Sequence, residues 1–288
     1  MASECSITAF NQYLQGSCVL LGQVLTVTSN ENDLNSGEEV LTFGFSTLAQ
    51  RYEDIVLPEA KPFQEILIVV QNPTGLSINL HSEREDIRVV ELKSLGVAKS
   101  RNVAISQARG RYMIFADDDV TFKKDGLIEA LEYFEANPDC TLILGKTVDE
   151  HGHPRKRYPV KHERLTRYNS ARAGTIEMMI RIEAIRSAGI TFDENFGAGA
   201  ENFLGDEYIF ISDLVKKGLR ADYLPIVLAE HPAISSGNVW ETERDLKVRA
   251  QVFKRVFGKW AFFIRIALVI RQIPRGLSIS RALFFIKG

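Results

Sequence analysis

Short apolar runs alternate with stretches of helical period through the first half of the chain, a pattern that predicts an α/β fold with a largely parallel sheet. Val24–Val27 predicts a first strand ending at Thr28-Ser29-Asn30-Glu31, and Leu41–Tyr52 predicts a helix. Glu65–Val70 reads EILIVV, the continuous run of a buried strand, with Pro73 stopping it just after Gln71-Asn72. Ile87–Leu92 predicts a third strand, and Val97–Arg109 a helix with Gly110 in the C-terminal cap position. Arg111–Ala116 predicts a fourth strand that runs straight into Asp117-Asp118-Asp119. A helix over Gly126–Ala136, ended by Asn137-Pro138, and a strand at Thr141–Leu144 complete this half.

From Asp149 to Arg172 periodicity is lost and charge accumulates, as in a long functional loop. Order returns with a strand at Ile176–Ile180 and a short helix near Glu183–Ser187. A glycine-spaced stretch, Phe192–Glu207, then leads into a helix over Asp206–Lys217. Its acidic first turn, Lys216-Lys217 in the last turn and Gly218 beyond suit the helix dipole and cap rules. Tyr223–Ala229 predicts a last strand, ending at Glu230-His231-Pro232. Residues 246–270 carry a helical stripe of Phe253, Val256, Phe257, Trp260, Ile264 and Leu268. Lys254, Arg255, Lys259 and Arg265 lie on the other side of that helix, and Phe262, Phe263 and Val269 widen its apolar surface.

Composition adds limits. The 288 residues are 45% hydrophobic and 25% charged, the balance of a globular protein with a core large enough to need no disulfide or metal staple. A net charge of −2 argues against bulk nucleic-acid binding. The charge is unevenly spread: residues 240–288 hold 11 Lys/Arg against 3 Asp/Glu, and residues 1–239 hold 24 against 34. An acidic body with a basic, aromatic tail predicts an amphipathic helix lying on an anionic membrane surface; the alternative is a helix packed on the domain or on a partner chain. Cys5, Cys18 and Cys140 form no CxxC pair, which suits a reducing compartment. No secretory leader and no apolar run long enough to span a bilayer are read from the chain. The expected location is the cytoplasm, peripheral on the inner face of the cell membrane.

Four features carry chemistry. Ligands of open α/β sheets sit beyond the carboxyl ends of strands, and Asp117-Asp118-Asp119 stands there as either a solvated turn or a site for a divalent cation. Arg101 falls in the middle of a stripe made by Val97, Ala104, Ile105 and Ala108, so its guanidinium must snorkel out or meet an anion such as Asp117 or a phosphate. Asp206 and Glu207 open a helix after a glycine-rich approach, as ordinary helix stabilisers or as a general base for a sugar hydroxyl. His231 stands at a strand end and could complete a metal site with the acidic turn, while His151 and His153 form a weaker metal candidate in the polar loop.

The run GVAKSRNVAISQARGRYMIFADDDV (96–120) resembles the signature of family-2-type inverting glycosyltransferases of bacterial polysaccharide, O-antigen or capsule synthesis. FDENFGAGAENFLGDEYIFISDLVKKGLRADYLP (192–225) resembles the second half of the same pattern. The resemblance implies the GT-A fold, a Rossmann-like, mostly parallel sheet with flanking helices, over residues 1–235. Its nucleotide-sugar half would cover about 20–145 and its acceptor half about 146–235, with 236–288 a helical C-terminal extension. It implies that Thr28, Asn30, Glu31 and Asn72 line the nucleoside pocket, with Arg101, Asp117 and Asp118 near the nucleotide. It implies that Asp119, with His231, coordinates Mn²⁺ or Mg²⁺, and that Glu207 takes the acceptor proton, with Asp206 the alternative. Donor and acceptor would be a nucleotide diphosphate sugar, most simply a UDP-sugar, and a glycan or lipid-linked hydroxyl. The sequence departs from the family pattern at Val27-Thr28-Ser29-Asn30 and at Gln71-Asn72, where an Asp often holds the base. Two alternatives stand beside this reading. MIFADDDVT also fits the nucleophile motif of haloacid-dehalogenase-type phosphohydrolases, although Phe210 breaks their later motif, and a non-catalytic sugar-binding subunit would keep the fold without turnover.

Overall fold

In the computed structural model, which describes residues 40–232, 242–273 and 278–287, Leu41–Leu48 is a strand, β1, and not part of the helix expected over Leu41–Tyr52. Leu41, Phe45, Leu48 and Tyr52 happen to recur at helical spacing. The segment also holds Thr42, Phe43 and Thr47, which favour a pleated surface, and seven of its eight residues are buried, so both faces of the strand are covered. Only Ala49–Asp54 turns, as a short 3-10 helix. The expected strand at Val24–Val27 lies outside the described residues.

The remaining elements follow the expected order. They are β2 (Gln64–Gln71), β3 (Ile87–Leu92), α1 (Val97–Gln107), β4 (Tyr112–Ala116), β5 (Thr121–Phe122), α2 (Lys124–Ala136), β6 (Cys140–Val148), β7 (Glu163–Arg164), β8 (Met178–Arg181), α3 (Ile182–Ser187), α4 (Asp206–Lys216) and β9 (Arg220–Glu230). One sheet runs β3-β2-β1-β4-β8-β6-β9-β5, with β7 also on β9. β1 to β4 are mutually parallel, and β6 and β9 share their direction; β8, β5 and β7 run against their neighbours. Alternate residues of β2 explain its unbroken apolar run. Ile66, Ile68 and Val70 face the layer containing α2, and Leu67 and Val69 face the layer of α1, α3 and α4. The register pairs Phe45 with Ala116, which sets the ends of β1 and β4 side by side.

Gly110 does not cap α1. The helix stops at Ala108, which takes up extended geometry, and Gly110 instead lies where a Cβ would come within 2.8 Å of the Thr42 backbone nitrogen. Close approach to β1, rather than a left-handed cap, is what this position requires.

The described residues of the tail form three α-helices: α5 (Glu243–Phe257), α6 (Ala261–Gln272) and α7 (Ile279–Lys287). A reciprocal cap between Thr242 and Asp245 starts α5, and Gly258 at φ +57° ends it, so the expected single stripe is divided. Val252, Val256 and Phe257 pack against Phe196, Tyr208 and Ile209 of the α/β body. The expected basic face is divided as well. Arg255 forks between Asp193 (2.7 Å) and Asp213 (2.6 Å), and Arg265 is only 8% exposed. Trp260, Phe262, Phe263 and Ile270 are left on the outside. No helix among the described residues is long and apolar enough to cross a membrane. Arg255→Met leaves two carboxylates facing each other under α5; about 1 kcal/mol of stability should be lost, and limited proteolysis should cut faster within 242–287 than in the wild type.

Candidate active site

The carboxyl ends of β1, β2, β4 and β9 open onto a cleft of about 1050 Å³ whose far wall is the start of α4 and part of α5. Arg101, on α1, is buried at its floor. Its guanidinium donates to Asp206 Oδ2 at 2.5 Å, lies 3.5 Å from Asp117 Oδ1 and sits 5.7 Å from the centre of the Phe192 ring. Burial disfavours its charge, but Asp206, Asp117 and Glu207 outweigh that and hold its pKa above the usual value. Asp206 is only 2% exposed; burial and the adjoining Glu207 push its carboxyl upward while Arg101 draws it down. Asp117 is also raised, first by burial, with Arg101 opposing and Asp119, Asp118 and Glu207 adding repulsion.

The next residue on α1 secures the second motif. Asn102 Nδ2 donates to the Phe192 carbonyl at 3.0 Å and its Oδ1 accepts the Phe192 N–H at 2.8 Å. The Val97 N–H donates to the Ala198 carbonyl at 2.9 Å, so the glycine-rich stretch lies across the start of α1. Gly197 has φ +95°, and a Cβ there would stand 2.8 Å from Asp206 Cγ. The glycine is what allows the loop to close over the Arg101–Asp206 pair.

Within the acidic turn the three carboxylates divide. Asp117 faces Arg101. Asp118, expected near the nucleotide, is 5% exposed and already held by the Thr47 hydroxyl at 2.9 Å and by Arg51 at 2.6 Å. It locks the turn to the end of β1. Asp119 is 41% exposed, and its Oδ1 lies 3.2 Å from His231 Nε2. Glu207 is partly exposed on the cleft wall, where its Oε1 accepts the Thr175 hydroxyl at 2.8 Å.

Asn72 is not a cleft residue. Its Nδ2 donates to Leu76 O and to Glu91, and its Oδ1 accepts the Leu76 N–H, so it staples the turn after β2. Gln71 lines the cleft instead, accepting the Gly96 N–H at 2.8 Å. His151 and His153 are exposed on a tight turn whose N–H groups Asp149 accepts, and neither lines the cleft. Thr28, Asn30 and Glu31 lie outside the described residues. Sequence reasoning missed Thr47, Arg51 and Thr175. The first two were hidden by the helix read over β1; a run of aromatic and β-branched residues ending in Ser46-Thr47 was the available signal.

The fold and this site have the architecture of a glycosyltransferase. The model of glycosyl transferase family 2 matches residues 28–190, and the chain belongs to that family. This removes the phosphohydrolase alternative. Poly(ribitol-phosphate) β-N-acetylglucosaminyltransferase TarS of Staphylococcus aureus is 27% identical over 142 residues, 47% of this chain and 24% of TarS. The teichuronic acid biosynthesis glycosyltransferase TuaG of Bacillus subtilis, itself named as a putative assignment, is 32% identical over 127 residues, 42% of this chain and 50% of TuaG. The chain thus aligns with about a quarter and a half of these relatives' lengths. The structure of S. aureus TarS 1–349 with UDP-GlcNAc superposes with a TM-score of 0.55 at 14% identity, covering 86% of this chain and 79% of that one. The UDP complex gives 0.53 at 15% identity over 84% and 76%. These superpositions establish the GT-A fold.

Gly197→Ala should strain a left-handed backbone position and press on Asp206. A loss of about 1–2 kcal/mol is expected, read as a lowered denaturation midpoint; an unchanged midpoint would show that the loop closes without this glycine.

Proposed function

We propose that the protein is a metal-dependent inverting glycosyltransferase. It moves a sugar from a nucleotide diphosphate sugar, a UDP-sugar in the first instance, to a hydroxyl of a glycan or lipid-linked acceptor in surface polysaccharide synthesis. The observation that carries the reading is the division of labour at the start of α4: Asp206 is buried and taken by Arg101, while Glu207 beside it is open to the cleft. TarS and TuaG, by their names, act in poly(ribitol-phosphate) and teichuronic acid synthesis, which supports the substrate class.

The donor would enter between the ends of β1 and β4, where Thr47, Gln71 and Asp117 line the cleft. A divalent cation fits at Asp119 and His231. His231 Nδ1 lies 2.9 Å from the Pro232 carbonyl, an acceptor only, so Nδ1 is the donor there and Nε2 is the ring nitrogen turned toward Asp119. Nε2 and the Asp119 oxygen lie 3.2 Å apart, close enough for both to reach one cation. Mg²⁺ and Mn²⁺ keep several positions for phosphate oxygens and water, so two protein ligands suffice in this reading. When bound, the cation supplies charge neutralisation for the departing diphosphate. Glu207, oriented by Thr175, takes the proton from the acceptor hydroxyl, and the resulting oxygen attacks the anomeric carbon from the side opposite the diphosphate, inverting the configuration.

The exposed face of α6 brings this cleft to an anionic membrane surface on the cytoplasmic side. Trp260, in the turn just before α6, and Phe263 on α6 are each 60% exposed, Lys259 lies over the Trp260 ring at 6.0 Å, and Arg271 lies in the last turn of α6. Aromatic rings bordered by cations suit a headgroup boundary.

Glu207→Gln should bind donor as the wild type does while turnover falls about 10²- to 10⁴-fold. Asp206→Asn should chiefly lower stability; full turnover by Glu207→Gln, with Asp206→Asn inactive but folded, would reverse the two roles. Trp260→Ser with Phe263→Ser should cut co-sedimentation with anionic vesicles several-fold without altering turnover on a soluble acceptor, and equal sedimentation would remove the membrane face.

A further inference from the structure

The cations around the cleft are mostly spent on the protein itself. Arg51 holds Asp118 at 2.6 Å, Arg101 holds Asp206 at 2.5 Å and Lys156 holds Glu177 at 2.7 Å. Arg155 differs. It lines the cleft, and its Nε is shielded from solvent with no hydrogen-bond partner among the described residues. No carboxylate of those residues is paired with its guanidinium. A donor kept dry without an acceptor costs free energy that an incoming anion would recover, and the guanidinium fork matches phosphate oxygens better than a point charge does.

Its backbone setting places it at the strand end that carries His231. The turn 149–153 is closed by Asp149, and Pro154 bridges back to Val148. The Arg155 N–H donates to Thr147 O at 3.2 Å, and the Val148 carbonyl accepts the N–H of His231 at 3.0 Å. Arg155 and His231 are therefore fixed to adjacent residues at one strand end, and His231 meets Asp119.

We infer that Arg155 binds the diphosphate of the nucleotide-sugar and offsets its charge as it leaves; the inference rests on the donor reading above. In the transfer, the acceptor oxygen forms its bond to the anomeric carbon and its proton goes to Glu207. The bond from that carbon to the diphosphate oxygen breaks, and its electron pair stays on the diphosphate. The negative charge gained there is what Arg155 meets.

The test is titration calorimetry of UDP and of uridine, in Mg²⁺ buffer, against the wild type, Arg155→Gln and Arg155→Lys, with turnover measured alongside. Arg155→Gln should weaken UDP about 10- to 100-fold, leave uridine within about twofold and lower kcat, and Arg155→Lys should recover part of the loss. A purely structural role would weaken uridine equally. UDP binding by Arg155→Gln within about twofold of the wild type overturns this inference alone. A wild type that does not bind UDP overturns the UDP-sugar reading, and this inference with it.

Discussion

One buried cation organises this protein. Arg101 sits between a carboxylate at the end of β4 and another at the start of α4, 105 residues further along the chain from the arginine itself. Removing a guanidinium from water costs several kcal/mol, and only close, well-formed pairs return that. Asp117 and Asp206 return it here, with Phe192 beneath the group. The helix that carries Arg101 is also tied by Asn102 to the start of the glycine-rich stretch. The acidic turn and the start of α4 are thus held in one geometry by two neighbouring side chains.

That constraint determines which groups remain for chemistry. Asp206 is taken by Arg101 and Asp118 by Thr47 and Arg51, so Glu207 is the accessible carboxylate at the start of α4, and Asp117 and Asp119 are those of the acidic turn. The charges that look redundant in the sequence are sorted by burial into a scaffold set and a working set. The tail obeys the same logic. Arg255 is spent on two aspartates to dock α5, and α5 in turn supplies part of the cleft wall.

Much of this was legible beforehand. The strand leading into Asp117-Asp118-Asp119, the arginine on an otherwise small-residue stripe and the Gly-Asp-Glu helix start all lie where their local patterns put them, because caps, turns and strand ends are short-range signals. β1 was not legible. A strand covered on both faces has no alternation, and helical spacing of Leu41, Phe45 and Leu48 then competes on equal terms. That misreading hid Thr47 and Arg51. Asn72 was misplaced for a different reason: an amide at a strand end serves a turn as readily as a ligand. In the tail, the stripe was read correctly as apolar, but sequence spacing does not say whether an apolar face meets lipid or the protein's own Phe196 and Tyr208.

A double-mutant cycle of Arg101→Met and Asp206→Asn, measured by urea denaturation, tests the central pair most directly. Each single variant should lose about 3 kcal/mol or more, and the double variant should lose far less than their sum, giving a coupling above about 2 kcal/mol. Additive losses, with coupling below about 0.5 kcal/mol, would mean that the two motifs are held together by something other than this buried cation.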